Sequence, residues 1–128
     1  MLPDLSSFYP ITQAHISAFH HDGHVCLPGV CSPDEVAAYR EVIVRTAMAA
    51  FAPQKPIGVR DTYGKAFLQT LNLRYQDEGV KKFVLARRFG QIVADLTGVN
   101  AVRIYHEQAL FKEPGGGITP WHQDQYYW

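Results

Sequence analysis

Apolar positions in this chain follow two periods, helical in its first three quarters and alternating near its end. Residues 12–21 carry Ile16 and Phe19 at helical spacing and stop at Gly23, which predicts a short helix. Residues 24–27 read as a short strand, broken by Pro28 and Gly29. A longer helix is predicted from Pro33 to about residue 51. Ser32 is placed to cap it, Pro33 suits its first turn, and Glu35 completes a capping box. Val36, Tyr39, Ile43, Ala47 and Ala50 form its apolar stripe, and Glu41 and Arg45 stand four apart as a surface pair. Another helix is predicted over 80–97, where Leu85, Phe89, Ile92, Val93 and Leu96 recur at helical intervals before Gly98.

The remaining segments are less periodic. Residues 1–11 read as an irregular arm, and residues 52–65, with their prolines and glycines, as a loop. Residues 67–75 fit a helix or an extended segment; Gln69, Thr70 and Asn72 are its polar positions, either site residues or ordinary surface groups. Residues 101–112 alternate as a long strand. Val102, Ile104, His106, Gln108, Leu110 and Lys112 share one face, apolar at its start and polar towards the glycines that follow. Arg103, Tyr105, Glu107, Ala109 and Phe111 share the other, as an outer or partly covered face would. A final strand is predicted over 121–128, with His122, Asp124, Tyr126 and Trp128 on one face.

Composition narrows the function classes. The 128 residues make one domain, and 47% apolar residues suffice for a core. Twelve basic residues balance twelve acidic ones, which argues against nucleic acid or an anionic membrane as partner. No apolar run has transmembrane length, and the first residues show neither the basic nor the apolar region of a signal peptide. The two cysteines, Cys26 and Cys31, read as free, partly buried thiols in a reducing compartment; a cytoplasmic protein is expected. The basic group Lys81, Lys82, Arg87 and Arg88 reads as a solvated helix face or as a contact for a phosphate-bearing group. His20, His21 and His24 share no common centre and read as solvated or locally hydrogen-bonded, and His15 reads the same way.

The chemistry gathers at residues 121–128. His122 and Asp124, two apart on an extended strand, present an imidazole and a carboxylate to the same side. These are two of the three ligands of a 2-His-1-carboxylate iron site. Lys112-Glu113-Pro114, the glycines 115–117 and Trp121-His122-Gln123-Asp124 resemble the phytanoyl-CoA dioxygenase family, Fe(II)- and 2-oxoglutarate-dependent oxygenases. Phe19 to Val30 followed by Ser32-Pro33-Asp34-Glu35 resembles the same family's N-terminal pattern.

The resemblance implies an α+β chain: N-terminal helices plus the first strands of a double-stranded β-helix (jelly-roll, cupin-like), truncated. Residues 1–128 would be the N-terminal part of a single such domain, inactive alone. His122 and Asp124 would hold Fe(II), with a distal histidine and a 2-oxoglutarate-binding arginine outside this sequence. His106 would line the cosubstrate pocket with Gln108, Leu110 and Thr70; the alternative for His106 is a core histidine. Tyr126 and Trp128 would wall the substrate pocket or pack in the core. Dioxygen and a small molecule are the expected reactants, and open strand edges the expected route to association. A carboxylate at Asp124, where related halogenases carry a small residue, points to hydroxylation. Two other classes remain: a non-catalytic remnant or interaction domain, and a cupin-like metalloenzyme that does not use 2-oxoglutarate.

Overall fold

Four aspartate, serine or threonine caps define where the first four described α-helices of this chain begin. The computed structural model describes residues 1–51 and 55–123. Thr12 caps α1 (Gln13–Asp22), with His15 reaching back to its backbone N–H, and Gly23 ends the helix in the left-handed region at φ 75°. Ser32 and Glu35 form the expected capping box of α2 (Pro33–Ala50). Asp61 caps α3 (Thr62–Ala66), and Asp77 caps α4 (Glu78–Val84) through the N–H groups of Gly79 and Val80. The last helix, α5 (Arg87–Thr97), ends at Gly98. Two antiparallel strands, β1 (Leu68–Leu71) and β2 (Gln108–Phe111), make the sheet, so the chain is α+β.

The sheet packs one face on the helices. Leu68 pairs with Phe111 and Thr70 with Ala109; Ala109 and Phe111 lie against the buried cluster Val42, Ala47, Leu73 and Val80. Leu5, Tyr39 and Ala86 form a second buried cluster. The arm 1–11 therefore belongs to the core despite lacking regular structure. Leu5 is 3% exposed, Tyr39 donates its hydroxyl hydrogen bond to Pro3 O at 2.6 Å, and Tyr9 and Gln91 exchange two hydrogen bonds.

Several expectations need correction. The single helix over 80–97 is two helices, broken at Leu85 and Ala86. The break lets the Arg88 N–H reach Leu5 O at 3.2 Å, and it leaves Leu85 and Val93 exposed while Ile92 and Leu96 are buried. Arg88 is no solvated group. It is 7% exposed and pairs with Glu35 through both guanidinium nitrogens (2.8 and 3.0 Å). It also donates to Ser7 and to Val30 O, so it ties the arm, the turn before α2, and α5 together. Arg45 pairs with Asp77 at 3.2 Å instead of Glu41, because Asp77 is already fixed as the cap of α4. Val36 of the expected stripe is exposed. Residues 24–27 form no strand, and Cys26 is exposed; both cysteines are free.

The strand over 101–112 shortens to residues 108–111, since β1, its partner, ends at Leu71. Asn72 takes the left-handed conformation (φ 57°), and the chain turns into the 3-10 turn Leu73–Tyr75. Residues 101–107 have no strand beside them among the described residues, and a strand exists only as a pairing. Glu107 O still accepts from the Asn72 N–H at 3.0 Å, and buried Arg74 pairs with the Glu107 side chain where the ladder ends. Residues 121–123 are not strand, and 124–128 lie outside the described residues. No described helix is long and apolar enough to cross a membrane.

Candidate functional site

The sheet's second face looks away from the helices. Gln69 pairs with Leu110 and Leu71 with Gln108, so by strand alternation these four share it. Leu71 and Leu110 are 47% and 52% exposed there. His106 follows on the same side, with its Nε2 accepting from Gln108 Nε2 at 2.9 Å. A run of polar groups results. Tyr63, on α3, donates to Gln69 Oε1; Gln69 Nε2 donates to Gln108 Oε1 at 2.6 Å; Gln108 donates to His106. Three of the expected cosubstrate residues, His106, Gln108 and Leu110, therefore come together. Thr70 does not join them. Its partner is Ala109, on the face that packs against the helices. Gln69 stands where Thr70 was expected.

The loop after β2 is anchored on the segment before β1. Pro114 and Gly115 form a turn closed by Gly116 N–H to Glu113 O at 2.9 Å, with Gly115 at φ 75° as such a turn requires. Gly117 N–H donates to Lys65 O at 2.6 Å, and Lys112 Nζ to Gly117 O at 2.8 Å. Arg60 pairs with Glu113 and donates to Lys55 O and Gly64 O. A Cβ on Gly116 would stand 2.9 Å from Glu113 O and 3.0 Å from Lys65 O, so the approach of the two segments requires glycine there.

His122 follows this loop and is exposed. Its Nδ1 lies 2.8 Å from Pro120 O. A carbonyl can only accept, so Nδ1 carries a proton, and in the neutral ring Nε2 has the lone pair. Metal-binding histidines are commonly held in this way, with the second nitrogen bonded to a backbone carbonyl. The donor chemistry of His122 fits an iron ligand. Asp124, Tyr126 and Trp128 lie outside the described residues, and among the described residues no three His, Cys, Asp or Glu side chains gather as a metal site. A cleft of about 310 Å³ beside β2 is lined by Leu73, Val80, Glu107, Ala109 and Phe111, among others, but not by His122.

Electrostatics are marked elsewhere. Arg88 beside Glu35, with the Ser32 N–H, holds the Glu35 carboxyl below the usual carboxylate range. Burial pushes the Tyr39 hydroxyl up. These groups stabilise the fold and stand apart from the sheet's outward face.

The model of the family described as phytanoyl-CoA dioxygenase (PhyH) matches residues 19–128. The chain belongs to that family. No curated protein and no solved structure matches it. The match spans both regions of resemblance, the capped start of α2 and the glycine loop through His122 and Asp124. Two members of the polar run escape a reading of sequence alone. Gln69 was one of three equivalent polar positions until β1 had a register, and Tyr63 sits in what reads as loop.

Proposed function

We propose that this phytanoyl-CoA dioxygenase-family chain is the N-terminal part of an Fe(II)/2-oxoglutarate-dependent hydroxylase acting on a small molecule with dioxygen. Family membership supports the oxygenase class. The observation that supports the finer reading is His122: directly after an anchored glycine loop, its Nδ1 is bonded to Pro120 O, so Nε2 would be the nitrogen that ligates. His122 and Asp124 would hold Fe(II), which when bound supplies the redox chemistry that couples dioxygen and a 2-oxo acid to oxidation of a substrate. His106 and Gln108 offer hydrogen-bonding groups of the kind a dicarboxylate needs, and Leu110 an apolar wall beside them. Tyr126 and Trp128 are assigned to the substrate side. The exposed apolar groups on the sheet's outward face support a further segment packing there in the active protein. The 128-residue chain alone is then inactive, and a cytoplasmic setting accords with its two free cysteines.

The test is a titration with Fe(II) under anaerobic conditions, comparing the chain with His122→Ala and Asp124→Ala. We expect each replacement to weaken binding at least about tenfold, the usual scale for disturbing a metal site. Equal binding by all three would refute the ligand assignment and favour a non-catalytic remnant. In a longer form carrying the rest of the domain, iron-dependent conversion of 2-oxoglutarate to succinate is expected. Metal binding without that conversion would favour a cupin-like metalloenzyme of another activity.

A further inference from the structure

The run Tyr63, Gln69, Gln108 and His106 crosses three elements and has a direction. A hydroxyl and two amides in series have two self-consistent polarities. In one, every donor points towards His106; in the other, every donor points towards Tyr63. The structure holds the first. Tyr63 donates to Gln69 Oε1, Gln69 Nε2 donates to Gln108 Oε1 at 2.6 Å, and Gln108 Nε2 donates to His106 Nε2 at 2.9 Å. A ring nitrogen that accepts carries no proton, so neutral His106 is the Nδ1–H tautomer. The opposite polarity would require Nε2–H.

We propose that Tyr63 and Gln69 are positioning residues that set the tautomer of His106 through Gln108. Neither touches His106. Gln69 acts because its amide has both a donor and an acceptor, and Tyr63 because its hydroxyl, as placed, donates to Gln69 Oε1 and so leaves Gln69 Nε2 to Gln108. The same α3 segment also anchors the glycine loop through Lys65 O, so loop and imidazole are referenced to one short element. The consequence for cosubstrate binding rests on the proposed function; the tautomer does not.

Gln69→Glu tests the direction. A carboxylate only accepts, so it takes hydrogen bonds from Tyr63 and from Gln108 Nε2. Gln108 must then turn its Oε1 to His106, whose Nε2 must carry the proton. Long-range proton–nitrogen correlation of the histidine rings in the full chain, without metal, reads the tautomer directly. The expected result is Nδ1–H in the wild type and a reversal to Nε2–H in Gln69→Glu. Tyr63→Phe, which removes an exposed hydroxyl, should leave a mixture of both. Nδ1–H retained in both variants, or Nε2–H in the wild type, overturns the proposal. Where a longer form turns over 2-oxoglutarate, Gln69→Glu should raise its KM with a smaller effect on kcat. Reversal of the tautomer in a protein that never uses 2-oxoglutarate would support the positioning role and refute the function.

Discussion

Arg88 donates to three separate segments at once, and Glu35 neutralises it. Both side chains are nearly shut off from water, at 9% and 16% exposure. Removing one partner strands the other, which costs about 3–5 kcal/mol for a buried pair. Glu35→Ala should therefore lower the urea midpoint by a large fraction of the total stability, because domains of this size hold only about 5–15 kcal/mol. A midpoint within error of the wild type would show the pair to be dispensable. The pair also sets a pH dependence. Arg88 and the Ser32 N–H lower the folded pKa of Glu35 below its unfolded value of about 4.3. Asp77 is lowered too: burial alone would raise it, but the Val80 and Gly79 N–H groups and Arg45 outweigh burial. A depressed carboxylate contributes its stability in full above the unfolded pKa and loses it as pH falls towards the folded one. The melting temperature should fall steeply as pH drops below about 4.3. Glu35→Gln should flatten that fall while starting from a lower plateau.

At the scale of elements, local chemistry was legible and pairing was not. The cap of α2 is written in Ser32 and Glu35, three residues apart, and the Thr12 cap of α1 is of the same local kind, although residue 12 reads as the helix's first residue. The break at Leu85 and Ala86 is invisible to periodicity, and the Arg88 N–H that it frees meets the distant Leu5 carbonyl. The strands depend on their partner in the same way. Alternation placed His106, Gln108 and Leu110 on one face, as the structure has them, yet could not choose Gln69 over Thr70 before β1 had a register. The glycine loop offers a test of element-level anchoring. Gly116→Ala sets a methyl against Glu113 O and Lys65 O, an overpacking that costs about 1–3 kcal/mol. The Gly117 N–H bond to Lys65 O should open first. Hydrogen exchange at the Gly117 amide should accelerate by tenfold or more, on the order expected for that cost, while α2 and α5 amides keep their protection. Unchanged exchange at Gly117 would mean that the loop is held elsewhere.

For the whole molecule, the decisive feature is a sheet that the described residues cover on one side only. Ala109 and Phe111 rest on the helices, while Leu71 and Leu110 face outward. Val102 and Ile104, each 41% exposed, add to the apolar surface of the segment leading into β2. Among the described residues each strand also has one neighbour, so each offers an outer edge to further pairing. Exposed apolar surface beside open edges favours association. The 128-residue chain should therefore show an apparent mass in sedimentation that rises with concentration. Leu110→Lys places a charge at the centre of the outward face and should shift the chain towards monomer. Val36→Lys, equally solvent-facing but on α2, should not, which separates a specific face from general stickiness. A monomer at every concentration would refute the idea, as would equal rescue by both lysines. In a longer form whose added segment covers this face, the association should disappear without any substitution, and Leu110→Lys should then destabilise the fold, because the lysine would be buried.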